Sequence, residues 1–458
     1  MQDEKRVERV ASEKSILVRL ILSGQPDEDD PLSELHSLAT TAGTTVIDEL
    51  VQKRQSPDPK TFFGKGKVAE LKQMVEDSGA DLVIVDNNLS PSQTRNLEQA
   101  ININVIDRTE LILAIFAAGA RTHEARLAVE LAQLEYSLPR LKRLWTHLSR
   151  QSMGVGMRGP GEKQLEVDRR LAQKRIHDLK QELLKVEERR ERQVASRDSI
   201  ATVSIVGYTN AGKSTLMNAL TSAGVEAADR LFATLDTRTR RWELAGWGTV
   251  LLSDTVGFIR DLPHGLVASF KSTLEETRQA NLLLHVADAS SPTVFEQIAS
   301  VYKVLQELGI EEKDMILVLN KIDAITSPAI LNHVLDRYPN AIPVSARSNR
   351  GIVALTEAVG QALSEEFLDI HVDVALSDGK LLAHLAANGE VLSQEYTDTH
   401  VTVHVRLAAS AYGMIRERAL AVRPPRAGKP VENLPPPLIN IGSIAGDSSA
   451  IEPTGEVA

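Results

Sequence analysis

The chain has 458 residues, 42% hydrophobic and 25% charged, with a net charge of −10 and no cysteine. That length suits about three domains, and the acidic balance excludes a generally basic nucleic-acid coat while leaving room for a local basic patch. Without cysteine there is neither a disulfide nor a thiolate metal site, which fits a reducing compartment.

The first 14 residues are charged with mixed sign, and Arg19 interrupts the apolar run that follows, so no signal peptide is expected. No run reaches the roughly 18 apolar residues of a membrane helix. A cytoplasmic chain without stable membrane insertion is the expectation.

From 16 to 118, strand-like runs at 16–22, 44–51, 82–86 and 104–106 alternate with helical patterns at 32–41, 67–78, 90–99 and 110–118. This alternation predicts a small parallel α/β domain over 1–120. The stretch from Thr61 to Lys67 is rich in glycine and lysine but lacks the spacing and the preceding strand of a phosphate loop, and reads as a helix-entry turn.

From 121 to 199 the character changes. Leu127, Leu131, Leu134, Leu138, Leu141, Leu144 and Leu148 form one apolar helical stripe, which Pro139 should break or kink. A second stripe runs through Leu165, Asp168, Ala172, Ile176, Leu179, Leu183 and Val186, spoiled only by Asp168. Together they predict an antiparallel helical hairpin whose connector, Arg150 to Lys163, holds four glycines and a proline. Between Arg140 and Arg192 there are 15 Lys and Arg against 8 Asp and Glu. A long arm with a basic, glycine-rich tip suits contact with RNA phosphates; the plainer reading is a solvated charged hairpin.

The region 200–365 carries the chemistry. Gly207-Tyr208-Thr209-Asn210-Ala211-Gly212-Lys213-Ser214 fits the phosphate-cradling motif, between the apolar run 202–206 and a helical pattern opening at Thr215. Glycines let successive N–H groups face the phosphates, Lys213 adds a mobile charge, and the Ser214 hydroxyl can ligate Mg²⁺. Asp254-Thr255-Val256-Gly257 closes a predicted strand; Asp254 can hold Mg²⁺ through water and the Gly257 N–H can sense the γ-phosphate. Asn320-Lys321-Ile322-Asp323 ends another strand, where the Asp323 carboxylate can accept the two donors of guanine that adenine lacks. Ser345-Ala346-Arg347 would complete the base pocket. Between Ser214 and Asp254, Phe232-Ala233-Thr234-Leu235-Asp236-Thr237 is the candidate first switch, with Thr234 or Thr237 on the metal. Arg238, Arg240 and Arg241 could stabilise transition-state charge, but are expected to be surface residues. The order and spacing point to a P-loop GTPase domain that takes GTP and GDP. Phe258 stands where Ras-like enzymes carry the water-orienting glutamine. A phenyl ring cannot hydrogen-bond water, so slow intrinsic hydrolysis and a large activating partner are expected.

Over 366–422 a β-α-β-β-α pattern predicts a small α+β C-terminal domain, and the Pro-, Ser- and Gly-rich stretch 423–458 a disordered tail. The fold class is thus α/β: an N-terminal parallel α/β subdomain with a helical hairpin, a P-loop GTPase domain and the α+β appendage.

The sequence resembles the HflX family of ribosome-associated GTPases. The likeness rests on His123-Glu124-Ala125-Arg126-Leu127, Arg158-Gly159-Pro160-Gly161-Glu162 with Gln164-Leu165-Glu166, the stretch Phe232 to Asp236, Asp254 to Ile259, and Thr273-Leu274-Glu275-Glu276-Thr277. The resemblance implies Thr234 rather than Thr237 as metal ligand, with Lys213, Thr234 and Gly257 serving hydrolysis. It implies that the 150–170 loop reaches rRNA of the large ribosomal subunit, and that a chain monomeric when free splits stalled or hibernating ribosomes under stress, its turnover stimulated by ribosomes. The alternative is a GTP-switched assembly or binding factor for that subunit. Lys163 and Met153 depart from the family's usual threonine and glycine, within the proposed RNA-contacting loop.

Overall fold

The computed structural model describes residues 13–24, 30–140, 160–195, 200–221, 232, 238–244, 247–260, 276–310, 314–325, 328–408 and 412–423. The chain divides into two compact units, one of residues 1–187, 228–236 and 261–271, the other of 188–227, 237–260 and 272–458.

The first unit opens with a parallel sheet of β1 (Lys14–Leu22), β2 (Thr45–Arg54), β3 (Leu82–Val85) and β4 (Asn104–Asp107), in the order β2-β1-β3-β4. Its connections are α1 (Ser33–Ala42), α2 (Lys65–Ser78) and α3 (Pro91–Ile101), and α4 (Arg108–Gly119) follows β4. β3 is Leu-Val-Ile-Val, buried on both faces as a central parallel strand must be. α3 starts where it does because Ser90 and Gln93 form a reciprocal capping box and Pro91 is preset for the first turn. Gly64 is the N-cap of α2, so the 61–67 stretch is a helix entry. Ile16, Val18, Leu20, Val83, Val85 and Val105 form the centre of the core, each worth about 1.5–3 kcal/mol on full burial. Arg108, 1% exposed, is neutralised by Asp86 at 2.7 Å and by Glu34.

Next come α5 (His123–Ser137), a 3₁₀ turn over Leu138–Arg140 that holds Pro139, and the 36-residue α6 (Pro160–Ala195). Leu127, Leu131 and Leu179 share a small core with Leu134, Ile176 and Leu183. Arg175 grips Glu130 with two bonds of 2.7 Å, and Lys180 meets Glu135 at 2.8 Å. Proline ends the α5 pattern as expected. The connector is shorter at its far end than the sequence predicts: α6 begins at Pro160, whose fixed φ suits a first helical turn, so 160–163 are helical. The stripe through 141–148 and the remainder of the connector lie outside the described residues.

The second unit contains β5 (Thr202–Gly207), β6 (Arg238–Leu244), β7 (Gly248–Asp254), β8 (Leu282–Asp288), β9 (Met315–Asn320) and β10 (Ile342–Pro343), in the order β10-β9-β8-β5-β7-β6. All pairs are parallel except β6 with β7. With them run α7 (Lys213–Thr221), α8 (Val294–Glu307), α9 (Pro328–Arg337) and α10 (Ile352–Glu366). β6 was not anticipated: its three arginines hide an edge strand that buries Trp242 and Leu244, and exposed charge is how a sheet edge resists pairing with a neighbour.

The unit ends with β11 (Phe367–Ala375), α11 (Gly379–Asn388), β12 (Gly389–Tyr396), β13 (His400–Ala408), α12 (Tyr412–Arg418) and β14 (Ala421–Arg423), the antiparallel sheet running β12-β13-β11-β14. This is the split βαβ plan of ferredoxin-like domains, one strand more than the sequence suggested. The predicted last helix stops early and β14 pairs with β11, fixed by Arg423 on Asp373 at 2.6 Å. The tail, 424–458, lies outside the described residues. No described helix is long and apolar enough to cross a membrane.

Candidate functional site

β5 ends at Gly207, and the loop behind it leads into the first turn of α7 at Lys213. Tyr208, Thr209, Ala211 and Lys213 are buried, Asn210 is exposed with φ +59°, and Ser214 and Thr215 are half-buried in the opening turn of α7. Gly212 has φ +88°, and a β-carbon there would lie 2.3 Å from Asn320 Nδ2; only glycine permits that approach. Lys213 Nζ donates to the carbonyls of Tyr208 (2.8 Å) and Gly207 (3.1 Å). Burial pulls its ammonium down to about 8, against the opposing pull of Asp254.

Asp254 is the last residue of β7 and fully buried; its Oδ2 accepts the Ser214 hydroxyl at 2.6 Å. Thr255 donates its hydroxyl to Ile205 O at 2.7 Å, and Val256 is buried beside it. The chain then folds over the phosphate loop: Phe258 N–H donates to Gly207 O (3.1 Å) and Thr209 N–H to Phe258 O (2.7 Å). Tyr208 Oη accepts from the Arg260 N–H at 2.7 Å. A β-carbon on Gly257 would sit 2.8 Å from Thr209 Cγ2 and 3.0 Å from Lys213 Nζ. The Phe258 ring is 3% exposed.

Asn320 holds the base end to the phosphate end. Its Nδ2 donates to Ala211 O (2.9 Å) and its Oδ1 accepts from Ala346 N–H (3.0 Å). Lys321, at φ +62°, pairs with Asp288 at 2.8 Å, and the Ile322 N–H reaches Val344 O. The Asp323 carboxylate is exposed, and a hydrogen bond from the Ser345 side chain holds it below the usual carboxylate range. Ser345 and Ala346 are buried and Arg347 is exposed. Of the candidate first switch only Phe232 is described, buried at φ +57° with its ring centroid 4.5 Å from that of Phe116 within the first unit. Ala233, Thr234, Leu235, Asp236 and Thr237 lie outside the described residues.

Sequence reasoning passed over Asp288 and His285, and it named Tyr208 without a role for its hydroxyl. Asp288 ends β8 and could have been flagged as a strand-end carboxylate near Lys321. Tyr208 gave no sign that its hydroxyl would receive a backbone donor. His285, buried in β8 with Lys213 as a charged neighbour, is pulled down to about 3 by desolvation first and Lys213 second.

The Ser214 hydroxyl and the Asp254 carboxylate are hard oxygen donors of the kind Mg²⁺ takes alongside water and phosphate oxygens. An ammonium beside a helix N-terminus can neutralise a polyphosphate, and a carboxylate at Asp323 can select guanine.

Profiles of three known regions match in succession: the GTP-binding GTPase N-terminal region over 29–117, the GTP-binding GTPase middle region over 119–197 and a 50S ribosome-binding GTPase domain over 202–321. GTPase HflX of Escherichia coli K12 is 48% identical over 81% of this chain and 88% of its own length. The chain belongs to the HflX family of GTPases. The HflX of Caldanaerobacter subterraneus subsp. tengcongensis is 49% identical over 77% of this chain and 81% of its own. Among solved structures, a GTP-binding protein of Sulfolobus solfataricus in complex with GDP is 24% identical, covering 77% of this chain and 99% of that one at a TM-score of 0.42. This HflX-family chain is a GTPase: it binds GTP and hydrolyses it to GDP and phosphate.

Proposed function

We propose that this HflX-family GTPase binds the large ribosomal subunit and, in its GTP form, splits stalled or hibernating ribosomes, with ribosomes stimulating hydrolysis. The match of 202–321 to a 50S ribosome-binding GTPase domain carries the reading. The long, basic α6 and the loop before it supply the element that would touch rRNA, through 150–170. Proposed boundaries are 1–120 for the α/β subdomain, 121–199 for the arm, 200–365 for the GTPase domain, 366–422 for the α+β domain and 423–458 for the tail. The free chain is a cytoplasmic monomer acting in stress.

Ser214, Asp254 through water, and Thr234 would hold Mg²⁺, which would supply positive charge to neutralise the phosphates. Lys213 leaves the carbonyls of Gly207 and Tyr208 for the β- and γ-phosphates, and the Gly257 N–H meets the γ-phosphate. Asp323 takes the two guanine donors while Ser345, Ala346 and Arg347 wall the base.

Steady-state GTP turnover with and without purified large subunits tests the reading, paired with a gradient of 70S particles plus protein and GTP. Stimulated turnover and a loss of intact ribosomes are expected. Stimulation with ribosomes left whole would replace splitting by the role of a GTP-switched large-subunit binding factor. Turnover indifferent to the subunit would remove the ribosome from the mechanism.

A further inference from the structure

In-line hydrolysis needs a polar group that holds the attacking water, and Phe258 offers none. The polar side chains at this corner nearly all have assignments. Lys213 Nζ is bonded to two carbonyls, Ser214 to Asp254, Thr255 Oγ1 to Ile205 O, Tyr208 Oη to the Arg260 N–H, and Asn320 to Ala211 and Ala346. Thr209 is different. It is 6% exposed, and its Oγ1 is buried with no hydrogen-bond partner among the described residues. A buried hydroxyl left unbonded is costly and asks for an explanation. Its position supplies one. Thr209 Cγ2 lies 2.8 Å, and Thr209 Cα 3.0 Å, from where a Gly257 β-carbon would be, with Lys213 Nζ 3.0 Å from the same point. The Thr209 N–H to Phe258 O bond pins the residue against the segment that would meet the γ-phosphate.

We propose that Thr209 Oγ1 holds the attacking water, replacing the glutamine that Phe258 displaces. In this step the water oxygen bonds to the γ-phosphorus and the bond from that phosphorus to the bridging oxygen of GDP breaks. The bridging oxygen keeps the bonding pair as part of the GDP β-phosphate, and both protons of the water leave on the released phosphate as H₂PO₄⁻. Thr209 remains a neutral hydroxyl throughout and orients the water without taking its proton. The proposal rests on GTP hydrolysis at this loop and is independent of ribosome recognition.

The full-length chain with Thr209→Val, which keeps the shape and removes the hydroxyl, is compared with Thr209→Ser, which keeps the hydroxyl and removes the methyl. Single-turnover cleavage of GTP in Mg²⁺ is followed with and without large subunits, and GDP affinity is measured in parallel. Loss of one oriented hydrogen bond predicts a cleavage rate about 10²–10³-fold lower for Thr209→Val. Thr209→Ser is expected to stay within about tenfold of the parent, and both variants should hold GDP within about threefold, since both keep the backbone N–H groups of the phosphate loop and the proposal gives the hydroxyl to the water rather than to the nucleotide. Wild-type cleavage by Thr209→Val overturns the proposal. So does an equally slow Thr209→Ser, or a loss of GDP affinity that parallels the loss of rate, because shape or folding would then explain the defect. A parent chain that cleaves no GTP under either condition would instead strike down the hydrolysis on which the proposal rests.

Discussion

Asp323 and His285 occupy the same sheet's neighbourhood, yet one answers to solvent and the other to burial. The Asp323 carboxylate is exposed and kept low by the Ser345 side chain, so it is charged at neutral pH, as the proposed reading of guanine's paired donors requires. Asp323→Asn supplies one donor in place of one acceptor, and should move preference from guanine toward xanthine. A loss of GTP affinity of about 10²-fold fits the removal of a charged hydrogen bond, and competition with GTP and XTP measures it. Unchanged GTP affinity would detach Asp323 from the base. His285 behaves oppositely. Its pKa is about 3 in the fold, against an ordinary 6.5. The lowered value means protons bind the unfolded chain better. Stability is therefore fully present above pH 6.5 and falls as the pH drops from 6.5 toward 3, by about 1.4 kcal/mol per unit. His285→Leu removes this liability. Relative to the parent it should gain about 3 kcal/mol on passing from pH 7 to pH 4.5, read from urea midpoints at the two values.

At the scale of elements, the hinge from sheet to arm is a cluster around Asp107. Tyr136, near the end of α5, donates its hydroxyl to Asp107 Oδ1 at 2.6 Å, and burial with that neighbouring charge pushes its pKa far above the usual phenol value. Arg140 lies over the Tyr136 ring at 3.6 Å and donates to Leu89 O at 2.8 Å, while Asp107 also accepts from the Leu89 and Glu110 N–H groups. Tyr136→Phe should cost about 1–3 kcal/mol in urea unfolding; a cost near zero would mean the arm's root is held without this bond. Much of this scale was legible in the sequence. Buried runs such as Leu82–Val85 and Met315–Asn320 announce parallel strands because both faces are apolar, and Ser90-Pro91 announces a helix start. The misses have physical reasons. β6 opens with Arg-Thr-Arg-Arg ahead of its buried Trp242 and Leu244, since an edge strand needs only one buried face, and β14 is three residues long, stabilised by β11 rather than by its own pattern. The nucleotide motifs were readable because phosphate and guanine dictate residue types at fixed spacing. The side-chain roles of Thr209 and Tyr208, and His285 altogether, were not, because they come from what the fold places against them.

For the whole molecule, charge is the organising quantity. A chain of net charge −10 concentrates 15 Lys and Arg against 8 Asp and Glu between Arg140 and Arg192. Attraction of such an arm to RNA must weaken steeply with salt, because bound counterions are released on contact. Arg158→Ala with Lys163→Ala should lower large-subunit stimulation of turnover several-fold and flatten its salt dependence, leaving GDP affinity of the free protein unchanged. Undiminished stimulation would take the arm's tip out of the interaction. The amide of Asn320 bears on the same whole. One side chain spans Ala211 and Ala346, so under the proposed function it would work as a calliper: the pocket would gauge the reach from purine to β-phosphate as a single length. Guanosine nucleotides that reach the β-phosphate or beyond satisfy that gauge, and guanosine monophosphate, too short to reach the far jaw, should be passed over even though its base is correct.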